Sequence, residues 1–260
     1  MTPTALITGA SAGIGLALAK RFAAAGYALA LTARRADELN KLADELKAAH
    51  KITVHVFPLD LSAADGPAKL HEQVTAAGLT VDVLVNNAGF GTLGPFLETD
   101  LEKELAMVRL NVAAVVDLCG RFMPAMLARK SGRVLNVAST AGFQPGPQMA
   151  IYYATKAFVL SFSEALWDET NGSGVTVTAL CPGPVRTEFS DVAGMNETNL
   201  FRGPNVMGVD SVADAGFKAT LKGKRLVIPG FLNRVLTTMV RFAPRRMVLR
   251  IVRRFQQKRK

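Results

Sequence analysis

Tyr152 and Lys156 stand four positions apart in a stretch, Met149–Glu169, whose pattern predicts a helix. A phenol and an ammonium therefore share one helix face, about a turn apart. An unperturbed tyrosine titrates near ~10. A neighbouring cation favours the phenolate and lowers that value towards neutrality, where the phenol can give and take a proton. Such a pair also occurs on helices with no catalytic role. Tyr153 is the adjacent candidate, but only Tyr152 has the four-residue spacing to Lys156. Ser139, with Thr140 beside it, ends a predicted strand and offers a hydroxyl that can hold a substrate oxygen.

A second group suits anion binding. The run Thr8-Gly9-Ala10-Ser11-Ala12-Gly13-Ile14-Gly15 joins an apolar strand, Thr4–Thr8, to a helical stretch, Gly13–Ala25. Glycines permit the tight turn and the close approach of a diphosphate, and the helix N-terminus supplies free N–H groups and partial positive charge. The spacing Gly-x-x-x-Gly-x-Gly differs from the commoner G-x-G-x-x-G, and a plain strand–helix turn is its alternative reading.

These groups need a scaffold, and the chain alternates short apolar runs with amphipathic ones. Strands are predicted at Thr4–Thr8, Tyr27–Thr32, Ile52–Phe57, Val81–Val85, Val134–Ala138, Val175–Cys181 and Leu226–Ile228. Helices are predicted between them, with Leu39, Leu42 and Leu46 marking one face of Ala36–Ala49. Thr99 and Glu102 read as a capping box opening a long helix through Asn111. Repeated β–α alternation with apolar strands predicts an α/β fold: one doubly wound parallel sheet in a three-layer αβα Rossmann domain. Residues 1–230 are assigned to this dinucleotide-binding catalytic domain, with a substrate lid at about 184–208, and residues 231–260 to a basic helical extension.

Thr8-Gly9-x-x-x-Gly13-x-Gly15, Asn86-Asn87-Ala88-Gly89, Ser139, Tyr152-x-x-x-Lys156 and Pro182-Gly183 occur in that order. Together they resemble the short-chain dehydrogenase/reductase family, over about Thr4 to Ile228. The resemblance implies that Ser139, Tyr152 and Lys156 are catalytic, that Lys156 also bonds the nicotinamide ribose, and that Asn111 holds a water in a proton path. It places Gly9, Ser11, Gly13, Ile14 and Gly15 around the cofactor diphosphate, Asp60 and Leu61 beside the adenine, and Asn87, Ala88 and Gly89 near the ribose. Pro182, Gly183, Val185 and Thr187 resemble the family's segment covering the nicotinamide. A homodimer or homotetramer through the helices near 100–128 and 149–169 is also implied. The implied activity is hydride transfer between a nicotinamide cofactor and a carbonyl or alcohol.

The second strand ends Thr32-Ala33-Arg34-Arg35, with no carboxylate where the fold's ribose-binding acid sits. Arg34 can fork onto a 2′-phosphate and Arg35 can stack on adenine, so NADP(H) is the expected cofactor. Ala12, where the family often carries a further basic residue, departs from the pattern. The lid carries Phe189, Met195, Leu200, Phe201 and Met207, which suits either an apolar substrate or ordinary lid packing.

Residues 216–260 hold 14 Lys and Arg and no acid, while the rest of the chain has 17 basic against 21 acidic residues, so the net charge of +10 belongs to the tail. A nucleic-acid partner is accordingly not expected. Arg246, Arg250, Arg253 and Arg254 form one face of a helix opened by Pro244, and Val248, Ile251, Val252 and Phe255 another. Such a helix packs on the body or a second subunit, or lies on an anionic membrane. Cys119 and Cys181, far apart in apolar runs, fit a reducing setting, and no metal site is expected. Met1-Thr2-Pro3-Thr4 lacks the features of a signal peptide, so the expected location is cytoplasmic, peripheral to a membrane if the tail helix lies on one. The alternative to an enzyme is a regulatory or membrane-recruited NADP(H)-binding protein without robust turnover.

Overall fold

The computed structural model describes residues 2–192, 194, 198–202 and 205–257. Met195, expected in the lid, lies outside the described residues, as do the side chain of Phe201 and residues 258–260.

Strands β1 (Thr4–Thr8), β2 (Ala28–Ala33), β3 (Val54–Pro58), β4 (Val81–Asn86), β5 (Gly132–Val137), β6 (Val175–Leu180) and β7 (Leu226–Val227) form, among the described residues, one seven-stranded sheet in the order β3-β2-β1-β4-β5-β6-β7. Every pairing is parallel. Helices α1 (Gly13–Ala24), α2 (Ala36–His50) and α8 (Val209–Leu221) cover one face, and α3 (Gly66–Ala76), α5 (Ala114–Ala128) and α6 (Ala150–Glu169) the other. The pleat decides which side chain meets which layer. Ala5 and Ile7 join Leu18, Phe22 and Val212, whereas Leu6 between them joins Leu70, Leu118 and Val159.

Winding starts at β1 and runs outwards in both directions, so the crevice between β1 and β4 lies where the strand order reverses. Ligands of open α/β sheets bind at the carboxyl ends of strands at such a point. Thr8 bolts that crevice together: its hydroxyl donates to the Val85 carbonyl and accepts from the Asn87 and Ala88 N–H groups.

The helix through Asn111 begins one residue later than the capping box implied. Asp100, not Thr99, is the N-cap of α4 (Leu101–Val108), its carboxylate accepting from Glu102 N at 2.9 Å. Thr99 instead turns its hydroxyl back onto the Phe96 carbonyl, closing the short 3-10 turn Phe96–Glu98. The helix then passes through a π turn, Arg109–Ala113, into α5. By length and composition Leu101–Ala128 could cross a membrane, yet Val115, Leu118, Phe122 and Met126 pack into the sheet core. The lid, expected as loop, contains α7 (Glu188–Val192) and a 3-10 turn, Asn199–Arg202.

Candidate active site

A cavity of about 860 Å³ runs along the carboxyl edge of the sheet from the glycine turn to the tail. At its first end, Ala12 is the N-cap of α1 and offers no capping side chain. The first N–H groups of the helix have no intrahelical acceptor and are available to an anion. Gly13 adopts φ +54, and a Cβ on it would stand 3.3 Å from Thr187. Any other residue there would be strained in its backbone and would press on Thr187. Gly9, Ser11, Gly13, Ile14, Asn87, Ala88, Gly89, Pro182, Gly183, Val185 and Thr187 line the cavity. Gly15 does not: a Cβ there would lie 2.2 Å from the Gly9 carbonyl oxygen, so this glycine lets α1 pack onto the turn.

Arg34, Arg35, Asp60 and Leu61 also line this end. Burial raises the Asp60 carboxyl, but hydrogen bonds from Ser62 and the positive charge of Arg34 outweigh it and hold the group below its ordinary value. Arg35 behaves differently from expectation. Its guanidinium is not presented as an open plane but reaches across to the Ser11 hydroxyl at 3.2 Å and to the Glu188 carboxylate at 2.8 Å. It ties the end of β2 to both the glycine turn and the base of the lid. Glu188 gives no sign of this in the sequence, because its partner is 153 positions away.

Ser139, Tyr152 and Lys156 converge on the middle of the cavity. Ser139 follows β5, caps the 3-10 turn Thr140–Phe143 and accepts from Ala141 N at 3.1 Å. Tyr152 and Lys156 are buried on the first turns of α6. Burial pushes the Tyr152 phenol well above its ordinary value, and a hydrogen bond with Ser139 opposes the rise. The sequence reading anticipated a lowering by Lys156. Instead the Lys156 ammonium donates to the Val137 carbonyl at 2.8 Å, and burial brings its own pKa down to about 8. Tyr153 lines the cavity too, but towards the tail, where burial pushes it up to about 12 and the Gln256 carboxamide opposes the rise without reaching full hydrogen-bond geometry.

Asn111 sits in the π turn, a distortion common at functional sites. It does not line the cavity. Its oxygen accepts from Phe90 N at 3.1 Å, and its amide donates to the Phe90 carbonyl at 3.0 Å and to the Thr155 hydroxyl at 3.1 Å. A Cβ on Gly89 would fall 2.9 Å from the Asn111 oxygen and 3.7 Å from Lys156 Nζ, so this glycine lies close to both.

The far wall was not foreseen. Leu232, Asn233, Leu236 and Met239 of α9 (Phe231–Met239) and Met247, Val248, Ile251, Val252 and Phe255 of α10 (Arg245–Gln256) line the cavity. Val248 and Val252 are buried with Met149, Tyr152 and Tyr153 in one apolar cluster. Asn233 anchors α9: its amide donates to the Pro229 carbonyl at 3.0 Å, and its side chain occupies the place that a Cβ on Gly183 would need.

The family model described as short chain dehydrogenase matches residues 3–198. A sulfoacetaldehyde reductase of Chromohalobacter salexigens is 35% identical over 84% of this chain and 87% of its own. A short-chain dehydrogenase from Sphingobium yanoikuyae, solved in complex with NADPH, superposes with a TM-score of 0.82 at 32% identity, covering 93% of this chain and 96% of that one. A solved 7β-hydroxysteroid dehydrogenase gives 0.85 at 26% identity, over 96% of both chains. The motif order, the parallel sheet and these matches establish that the chain belongs to the short-chain dehydrogenase/reductase family.

Proposed function

We propose that this protein is an NADP(H)-dependent oxidoreductase that interconverts a carbonyl and an alcohol, with Tyr152 as its acid and base. The observation that carries the reading is the convergence of Ser139, Tyr152 and Lys156 on one cavity that also reaches the glycine turn. That turn suits a dinucleotide: α1 starts without a side-chain cap, and Gly13 holds a left-handed backbone with little room for a side chain beside Thr187. The bound nicotinamide supplies or accepts the hydride. Gly13, Ile14 and Thr187 hold the diphosphate, Arg34 meets the 2′-phosphate, and Lys156 bonds the ribose from its anchored position. The NADPH complex of the Sphingobium relative supports the same choice of cofactor.

In reduction, negative charge builds on the substrate oxygen. Ser139 donates a hydrogen bond to that oxygen, and Tyr152 donates the proton. A phenol held above its ordinary value by burial stays protonated at neutral pH, which makes it ready as a donor. Serving as a base in oxidation requires that value to fall, and a cation beside the phenol lowers it. Asn111 fixes the Phe90 backbone next to Gly89. Its oxygen keeps a second lone pair with which it can hold a water.

Two copies or four are proposed for the assembled enzyme. Leu101, Leu105, Val116 and Phe158 leave the two helices implied in subunit contact with exposed apolar side chains. A panel of aldehydes and ketones, followed by loss of NADPH absorbance, tests the reaction. Turnover of at least one carbonyl is expected, and silence across the panel with intact NADPH binding removes the proposal.

A further inference from the structure

Around α10 the side chains fall into three rows. Val248, Val252 and Gln256 are buried against the body. Next to them Met247, Ile251 and Phe255 line the cavity and are exposed as well, Phe255 at 49%. Beyond that row come Arg246, Arg250 and Arg254, all exposed. Helix α9 repeats the doubly placed pattern: Leu232, Leu236 and Met239 line the cavity, yet Met239 is 61% exposed. The mouth of the substrate cavity is thus a ring of half-exposed aliphatic and aromatic side chains with guanidinium groups alongside. Phe242, at 84% exposure, extends the apolar surface between the two helices. No acidic residue follows Asp214 in the sequence, so nothing on these helices neutralises the arginines.

Water is a poor neighbour for such a ring, since contiguous exposed apolar surface marks a contact site. A bilayer carrying anionic lipid meets both of its requirements. The acyl boundary accepts the apolar row, and the headgroups meet the arginine row beside it. A nucleic acid would satisfy the arginines and leave the apolar row in water.

We propose that α9 and α10 dock the enzyme on an anionic membrane surface with the cavity mouth facing the lipid, so that its substrate is a lipophilic carbonyl or alcohol taken from the bilayer. The substrate class rests on the oxidoreductase reading above, whereas the docking surface does not. The apolar cluster continues inwards from Val248 and Val252 through Met149 and Phe189 to Tyr152, giving a long-chain or polycyclic group a lipophilic path to the proton donor.

The test uses the full chain and phosphatidylcholine vesicles prepared with and without phosphatidylglycerol. Flotation is expected with phosphatidylglycerol at low salt, with loss in pure phosphatidylcholine and at high salt. Reversing the outer row, R246E/R250E/R254E, removes three favourable charges worth about fivefold each in partition and adds three repulsive ones, so the fall should exceed about a hundredfold. Those arginines do not line the cavity, so NADPH-linked turnover of a short, water-soluble ketone should stay unchanged. Turnover of a long-chain ketone dissolved in the phosphatidylglycerol vesicles should drop with vesicle binding. The neutral set R246Q/R250Q/R254Q gives a weaker drop and guards against misfolding of the charge-reversed protein. Equal vesicle affinity for wild type and variants overturns the proposal. So does a change of sedimentation coefficient in the variants without vesicle binding by the wild type, which would mark the face as a contact between copies. Vesicle binding without turnover of any carbonyl supports the docking surface while removing the oxidoreductase reading. Soluble turnover without vesicle binding removes the docking surface alone.

Discussion

The Lys156 ammonium lies 5.8 Å from the centre of the Tyr152 ring while it donates to the Val137 carbonyl at 2.8 Å. The strand end, rather than the phenol, positions the lysine. Burial therefore governs both groups in opposite directions: it resists forming the phenolate and resists keeping the ammonium.

Tyr152→Phe keeps the ring packed on Phe189 but removes the proton donor. Turnover should fall by about a hundredfold to ten-thousandfold, the ordinary range for losing a general acid. NADPH affinity, read by fluorescence titration, should change little. A fall in affinity equal to the fall in rate would assign the phenol to cofactor binding instead.

Arg34→Ala should narrow the preference for NADPH over NADH. A hydrogen bond to a charged group contributes about 1.5–3 kcal/mol, so the ratio of the two dissociation constants should shrink by roughly tenfold to a hundredfold. Calorimetry with both cofactors provides the ratio. An unchanged ratio would mean that Arg34 serves only the nearby Asp60.

Glu188→Gln should strengthen NADPH binding severalfold while leaving NADH nearly unaffected. The carboxylate neutralises Arg35 in a half-exposed ion pair, so its removal leaves more positive charge beside Arg34 and the 2′-phosphate that Arg34 is proposed to meet. Stability should barely move, because exposed pairs contribute about 0–1 kcal/mol. Weaker NADPH binding in the variant would show that the pair holds the lid in its binding position.

Stability against pH offers a check on Lys156. Its folded value of about 8 lies below the ordinary lysine value of 10.5. Between those limits the unfolded chain holds the extra proton, so stability rises with pH through this window. Below about 8 both states are charged and the full penalty of burying the ammonium applies. The difference in unfolding free energy between Lys156→Met and wild type should therefore favour the variant most below pH 8 and shrink up to pH 10.5. A flat difference would mean that the lysine is hydrated in the native protein.

The lining of one end of the cavity was legible in the sequence because it falls in short runs at strand ends whose residue types are dictated by backbone geometry. Gly9, Gly13 and the Asn87-Ala88-Gly89 run sit at strand ends whose order the β–α alternation already implied. Side-chain destinations were less legible. Nothing local announces that Arg35 meets Glu188, or that Asn233 fills the hollow above Gly183. The buried chain Asn86–Asn136–Ser163, joined by amide and hydroxyl bonds across β4, β5 and α6, was likewise invisible. Asn111 shows a further limit: the family resemblance pointed to a water, and nothing in the sequence announced the two hydrogen bonds to the Phe90 backbone. The periodicity of residues 245–256 showed an amphipathic helix, but amphipathicity does not say which partner the apolar side meets.

The family match ends at residue 198, whereas α9 and α10, which wall the far end of the cavity, lie at residues 231–256. Under the proposed function, the reacting groups and part of the substrate wall lie in separate stretches of one chain. The stretch that shapes the mouth can diverge between relatives while the reacting groups stay untouched. Grafting that terminal pair of helices from one relative onto another would exchange this wall while leaving Ser139, Tyr152 and Lys156 in place.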